Sequence, residues 1–267
     1  VVLCRIGDYE PALALYERSN FPEHSRTVVN GIATVYNRMG DYAQAQRYFE
    51  QAAAAQLAAG LEREAVVTLY NLGRTRENLA EWDAAQRAHA QVVQISRKIG
   101  YARGEAYGER GLAAVNNARG EWQQALDRLA HAQALAVDLP DPRLRAQIAL
   151  ARGIALRSAR RPADSIDALN QALDTFTKAE ALADSAAAHA ALAAVYADLA
   201  DWRAAFEQQQ LLKQVTDRLH ARQLDQRFLT LKVEFDTAAR DKENALLTRE
   251  KAAAEATLVQ AQRAGRL

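Results

Sequence analysis

The chain has 267 residues, and Lys+Arg 34 against Asp+Glu 33 leaves a net charge of +1. That balance opposes a basic nucleic-acid-binding surface, and 49% hydrophobic with 25% charged residues is an ordinary water-soluble composition. The chain holds 59 Ala against 15 Val and 7 Ile; Ala favours helix and β-branched residues favour strands, so an all-β fold is excluded and an α/β fold disfavoured.

The N-terminal stretch Val1 to Tyr9 lacks the basic start and apolar core of a secretory signal. It reads as the last turn of a helix, so the sequence reads as a piece of a longer protein. Cys4 is the only cysteine, which excludes an intrachain disulfide and a cysteine metal cluster and fits cytoplasm or periplasm equally. No apolar run approaches the ~20 residues of a membrane span. Any membrane link is expected only through segments outside this sequence.

A repeat organises the chain from residue 7 onward. Gly7-Asp8-Tyr9, Gly40-Asp41-Tyr42, Ala80-Glu81-Trp82, Gly120-Glu121-Trp122, Arg160-Arg161-Pro162 and Ala200-Asp201-Trp202 resemble one another. After the first interval they recur every 40 residues. Two residues past each of these turns stand Tyr9, Tyr42, Trp82, Trp122, Pro162 and Trp202; five past stand Ala12, Ala45, Ala85, Ala125, Ser165 and Ala205. Seven residues before the turn stand Ala33, Gly73, Ala113, Gly153 and Ala193. Each unit reads as a helical hairpin. The Asp or Glu after the turn is placed to cap the second helix. Small residues let the paired backbones approach, and the aromatic is expected to fill the gap between neighbouring hairpins. Gly60, Gly100 and Pro140-Asp141-Pro142 separate successive hairpins, whereas Lys178 to Ala181 holds no strong breaker and predicts a soft boundary. Arg152, Pro162 and Ser165 make the fifth unit deviate, and a looser hairpin is expected there. A hairpin buries one face only, so the units must stack into a superhelical array.

This small–aromatic–small spacing resembles the tetratricopeptide repeat family, in the subclass with 40-residue rather than 34-residue units. The resemblance implies an all-α, right-handed superhelical solenoid of hairpins over residues 1–219, with a partial first repeat and five further ones. It also implies that the first helix of each hairpin lines a concave groove. Carried over by offset, the candidate groove residues are Asn30, Thr34, Asn37, Tyr70, Arg74, Glu77, Tyr107, Arg110, Asn117, Gln147 and Arg157. Asn and Gln pair with an extended peptide backbone, and Arg forks onto a carboxylate. The sixth unit offers Ala187, Ala190, Ala194 and Ala197 instead.

Residues 220–267 differ. Charges interleave densely, and Leu224, Phe228, Leu231, Phe235 and Ala238 follow the 4-3 spacing of a coiled-coil seam. A long C-terminal helix is expected, pairing as a homodimer or folding back as a cap with a bend near His220. The run Phe235 to Leu247 resembles the linker that joins tetratricopeptide sensor regions to diguanylate cyclase or histidine kinase outputs in bacterial signalling proteins.

No phosphate-binding loop, catalytic constellation or metal-ligand spacing stands out. His89 and His189 fall at inward repeat slots and read as satisfied packing residues. The expected function is therefore non-enzymatic: a peptide- or protein-interaction and sensory module, without cofactor, metal or nucleic acid. The alternatives are a plain assembly scaffold and the regulatory part of an enzyme whose catalytic domain lies beyond residue 267.

Overall fold

The computed structural model describes residues 25–222 together with 224 and 225. The helices are α1 (Ser25–Met39), α2 (Tyr42–Ala58), α3 (Glu62–Asn78), α4 (Trp82–Lys98), α5 (Ala102–Ala118), α6 (Trp122–Ala136), α7 (Pro142–Ser158), α8 (Pro162–Lys178) and α9 (Leu182–Asp198). A tenth, α10, covers 202–222 and is helical again at 224 and 225. Among the described residues there is no strand. Each helix packs on the next, and the first helices α3, α5, α7 and α9 also touch in succession. The fold is a solenoid of helical hairpins in which each unit meets only its neighbours.

The helices stop where they do because the chain turns left-handed every 20 residues. Positive φ occurs at Gly40, Gly60, Ala80, Gly100, Gly120, Arg160, Glu180 and Ala200. In each case the next amide reaches back to a carbonyl five residues earlier, as Glu81 N–H does to Arg76 C=O at 2.9 Å. This closure satisfies carbonyls that a helix end leaves unpaired. The boundary at Glu180 is as sharp as the others, with φ 49 and Ala181 N–H on Phe176 C=O at 2.9 Å. Backbone closure there needs no breaker residue. The exception is Pro140, whose ring fixes φ on the negative side. There α6 ends early, and Asp141 N–H turns to Leu139 C=O at 2.7 Å.

An L-residue in the left-handed region is strained by its Cβ. Ala80→Gly and Ala200→Gly are each expected to stabilise the protein by up to about 1 kcal/mol, after the added freedom of the unfolded glycine is charged. Thermal unfolding checks this, with Ala84→Gly, inside α4, as the destabilising control.

Two buried columns run through the second helices. Five residues past each turn, Ala45, Ala85, Ala125 and Ser165 have no exposure, and Ala205 has 9%. Nine past the turn stand Phe49, His89, Leu129 and Leu169, all essentially sealed. Onto this second column pack the small residues of the first helices. A Cβ built on Gly73 would lie 2.4 Å from the His89 ring, and one on Gly153 would lie 2.5 Å from Leu169. The deeper column fills the gap more completely than the aromatics two past the turn, of which Tyr42 and Trp82 are half-buried. Trp122 is 39% exposed and Trp202 68%, because the first turn of a helix lies at the rim of its hairpin. The fifth hairpin is also not loose: Gly153 admits Leu169 closely, and Ser165 Oγ donates to Gly153 C=O at 2.7 Å. Capping by the acid after the turn holds for Asp41 and Asp201, which accept from Gln44 and Ala204 amides. Glu81 and Glu121 do not cap; their longer side chains accept from Gln46 and Asn116 instead.

Candidate functional site

The predicted groove residues divide by how their polar atoms are used. In α1, Asn30 and Asn37 each accept from a threonine of α3, Thr68 and Thr75, both at 3.1 Å. Thr34 donates to its own backbone at Asn30. The two asparagines tie α1 to α3, and the Thr34 hydroxyl is spent within α1. Arg157 is likewise consumed, forking onto Asp198 at 2.6 and 3.1 Å. That hydrogen bond holds the Asp198 carboxyl below its ordinary range. Gln147 is buried and donates to Asp184 at 3.4 Å.

The structure brings Tyr70, Tyr107 and Arg110 together on α3 and α5. The rings of Tyr70 and Tyr107 meet edge to face at 5.0 Å. Arg110 lies 5.5 Å from the Tyr70 centroid and donates to the Tyr70 hydroxyl. Its Nε is buried and has no partner, and burial pulls the guanidinium down to about 10, opposed only by the charge of Asp184. Arg110 thus remains charged at neutral pH while lacking a carboxylate of its own. Arg74, one turn along α3, is exposed and makes no hydrogen bond or ion pair among the described residues. Asn117 keeps a buried Oδ1 without a partner. Of the Ala lining in α9, Ala187 and Ala190 are exposed.

Glu77 is drawn out of the groove set by His89. The imidazole is fully buried, and its Nε2 lies 2.6 Å from Glu77 Oε1. Tyr70 stands against the ring at 5.7 Å, while Nδ1 has no partner. His89 is therefore a packing residue satisfied on one side only. His189 bonds through Nδ1 to Gln208 at 2.8 Å.

Sequence reasoning missed the acids that frame this groove. Asp141 caps α7 through Oδ1, and its Oδ2 takes Arg103 at 2.7 Å and the Tyr107 hydroxyl at 3.5 Å. Burial, then the Asp141 charge, raises the Tyr107 phenol, so it stays a donor. Asp184 takes Arg143 at 2.7 Å. Neither acid falls in a 40-residue column; the cap signal Pro140-Asp141-Pro142 was the available sign for one.

Glu105, Glu109 and His131 also converge, with ligand-type atoms all within 4.8 Å of one another. The two carboxylates are already occupied by guanidinium groups. Arg97 reaches both, at 2.7 and 2.9 Å, and Arg128 reaches Glu109 at 2.9 Å. Burial raises the Glu105 carboxyl, but hydrogen bonds from Arg97 and His131 outweigh it and leave the net shift downward. This is an ion-pair network between α4, α5 and α6, with the donors that a metal would displace already in place.

The tetratricopeptide repeat family model matches residues 25–98 and 104–178. The chain belongs to the tetratricopeptide repeat family. In fold it is similar to BtubC (BKLC) from P. vanneervenii, at TM-score 0.59 and 15% identity, covering 82% of this chain and 93% of that one. It is similar to a putative kinesin light chain with TPR-like repeats from Podosopora anserina, at TM-score 0.52 and 19% identity, covering 75% and 100%. It is also similar to a Rap protein complexed with competence and sporulation factor, at TM-score 0.59 and 13% identity, covering 81% and 71%. No curated protein matches the sequence. The fold supports a protein–protein interaction module.

Proposed function

We propose that the protein is a non-enzymatic recognition module that holds an extended acidic peptide segment along the first-helix groove. The observation that carries this is Arg110, a desolvated guanidinium with a free buried Nε and no carboxylate partner. Such a charge costs the folded chain free energy, and an incoming carboxylate recovers it. Arg74 adds an exposed cation one turn along, and Tyr70 and Tyr107 supply flat amphipathic faces. The fold shared with a Rap protein solved with competence and sporulation factor supports a peptide-holding groove. The finer reading is a sensory module of a bacterial signalling protein, whose groove occupancy passes through the C-terminal helix to an output domain. Its support is α10, which stays helical at 220–222, beyond the repeat array expected to end at 219.

A dye-labelled peptide of alternating Asp and Ala, with a free C-terminus, tests the groove by anisotropy titration. Arg110→Ala and Arg74→Ala are each expected to weaken it by about 1.5–3 kcal/mol, the range for charge-assisted bonds. Arg87→Ala removes an exposed charge from α4 and serves as the control. Equal losses in all three would remove the assignment. Without peptide, Arg110→Met is expected to raise the melting temperature, because it deletes the uncompensated buried charge.

A further inference from the structure

The last helix presents an unusual face. Six residues past each turn, the second helices meet the following hairpin. Gln46 donates to Glu81 at 3.1 Å, and Gln86 accepts from Arg119 at 2.8 Å. Leu126 packs against the cluster holding Leu144 and Ile148, and Ile166 against the one holding Leu192 and Val195. The corresponding residue of α10 is Phe206, which is 62% exposed, and Trp202 one turn before it is 68% exposed. Terminal units of a solenoid ordinarily carry a polar outer face; this one carries two aromatics. The chain does not turn back to cover them at 220, where the earlier spacing at 60, 100 and 180 would place a bend. It is helical at 221, 222, 224 and 225, and Arg222 is tied to Glu180 at 2.6 Å.

At 100° per residue, Trp202, Phe206, Lys213, Asp217 and Leu224 fall within about 60° of one another on α10. Leu224 is 67% exposed, and Lys213 and Asp217 are exposed and paired at 2.7 Å. The large apolar and paired charged residues of this stripe are placed symmetrically about the level of Val215, whose own side chain falls on the opposite face; exposed His220 also lies in the arc, with Gln210 at its mirror position. Phe206 stands nine residues before Val215 and Leu224 nine after. Lys213 stands two before and Asp217 two after. A stripe that reads the same in both directions, with its charges reversed across the centre, is complementary to itself when rotated by half a turn.

We infer that a second copy of this chain docks on α10 in antiparallel orientation, with the two-fold axis crossing the stripe at the level of Val215, between Lys213 and Asp217. Phe206 of one copy then meets Leu224 of the other, and Lys213 meets Asp217 twice. In a parallel pair Lys213 would face Lys213 and Asp217 would face Asp217, a like-charge arrangement that costs free energy. Of the homodimer seam expected from the sequence at Leu224, Phe228, Leu231 and Phe235, Leu224 belongs to this stripe; the other three lie outside the described residues. The inference stands independently of the peptide groove.

Sedimentation equilibrium of the whole chain should show a dimer. Phe206→Glu and Leu224→Glu should each weaken it at least about tenfold, with the helical circular dichroism signal unchanged, since both side chains are exposed. Orientation is read by cysteine trapping in a Cys4→Ser background. Phe206→Cys and Leu224→Cys chains should crosslink to one another when mixed, and neither to itself. As a variant set that leaves the apolar stripe intact, Lys213→Glu and Asp217→Lys chains should each dimerise poorly alone and well together. A monomeric wild type, self-crosslinking of each single-cysteine chain, or a dimer indifferent to all these changes would overturn the inference. A monomer whose Trp202 is shielded from a fluorescence quencher would assign the face to a later segment of the same chain instead.

Discussion

Gly73→Ala and Gly111→Ala are expected to destabilise the protein by about 2–3 kcal/mol each, against the usual direction for glycine inside a helix. Alanine is intrinsically the better helix former by about 1 kcal/mol, so the sign depends on what the added methyl meets. At Gly73 it would lie 2.4 Å from His89 Cε1, and at Gly111 2.4 Å from His89 Nδ1. The ring is therefore walled on two sides, by α3 and by α5, and its Nε2 is fixed on Glu77. It cannot swing away from one glycine without striking the other. A double-mutant cycle decides the matter. In a His89→Ala background the clash is gone, and Gly73→Ala should become neutral or stabilising in a thermal melt. If Gly73→Ala is as harmful there as in the wild type, the imidazole is not what demands glycine.

Phe49→Ala is expected to cost about 3–5 kcal/mol, the range for a fully buried phenylalanine. Its ring is 1% exposed and lies among Ala33, Ala45, Ala53, Val66, Leu69, Leu72 and Val92. Trp122→Ala should cost less, about 1–2 kcal/mol, because 39% of that residue already faces water. Since units couple only to neighbours, the Phe49 loss should appear as early melting of α1 to α4 rather than as a uniform shift. Hydrogen exchange resolved along the chain measures this. A larger loss from Trp122→Ala than from Phe49→Ala would restore the rim aromatics as the structural wedges.

The contrast between Phe49 and Trp122 shows how the sequence was legible and where it was not. The turns, the 40-residue period and the helical hairpins followed from columns of similar residues, and columns are what a repeat exposes to inspection. The most conspicuous column, the aromatics two past the turn, marks the unit while burying its side chains only in part. The wedge column of Phe49, His89, Leu129 and Leu169 varies in chemistry and shares only depth, so its members did not look alike. The candidate cluster was legible in part. Offsets located Tyr70, Tyr107 and Arg110, but offsets cannot say which polar groups are already paired. Asn30 and Asn37 were consumed by Thr68 and Thr75, and Arg157 by Asp198, through bonds that cross from one unit to the next. Such pairings depend on the angle between units, which no single repeat encodes.

Those crossing bonds form a series along the array. Asn30 joins Thr68, Tyr70 joins Arg110, Arg103 joins Asp141, and Arg143 joins Asp184. Each spans one joint and no more, so the bend of the whole is the sum of independent local tilts. A ligand that shortens or lengthens a single rung rotates everything beyond that joint as one arm. The farther the joint lies from α10, the greater the sweep at its tip. A peptide held as proposed near Tyr70 and Arg110 would act at the short end of a lever, with its displacement multiplied at Leu224.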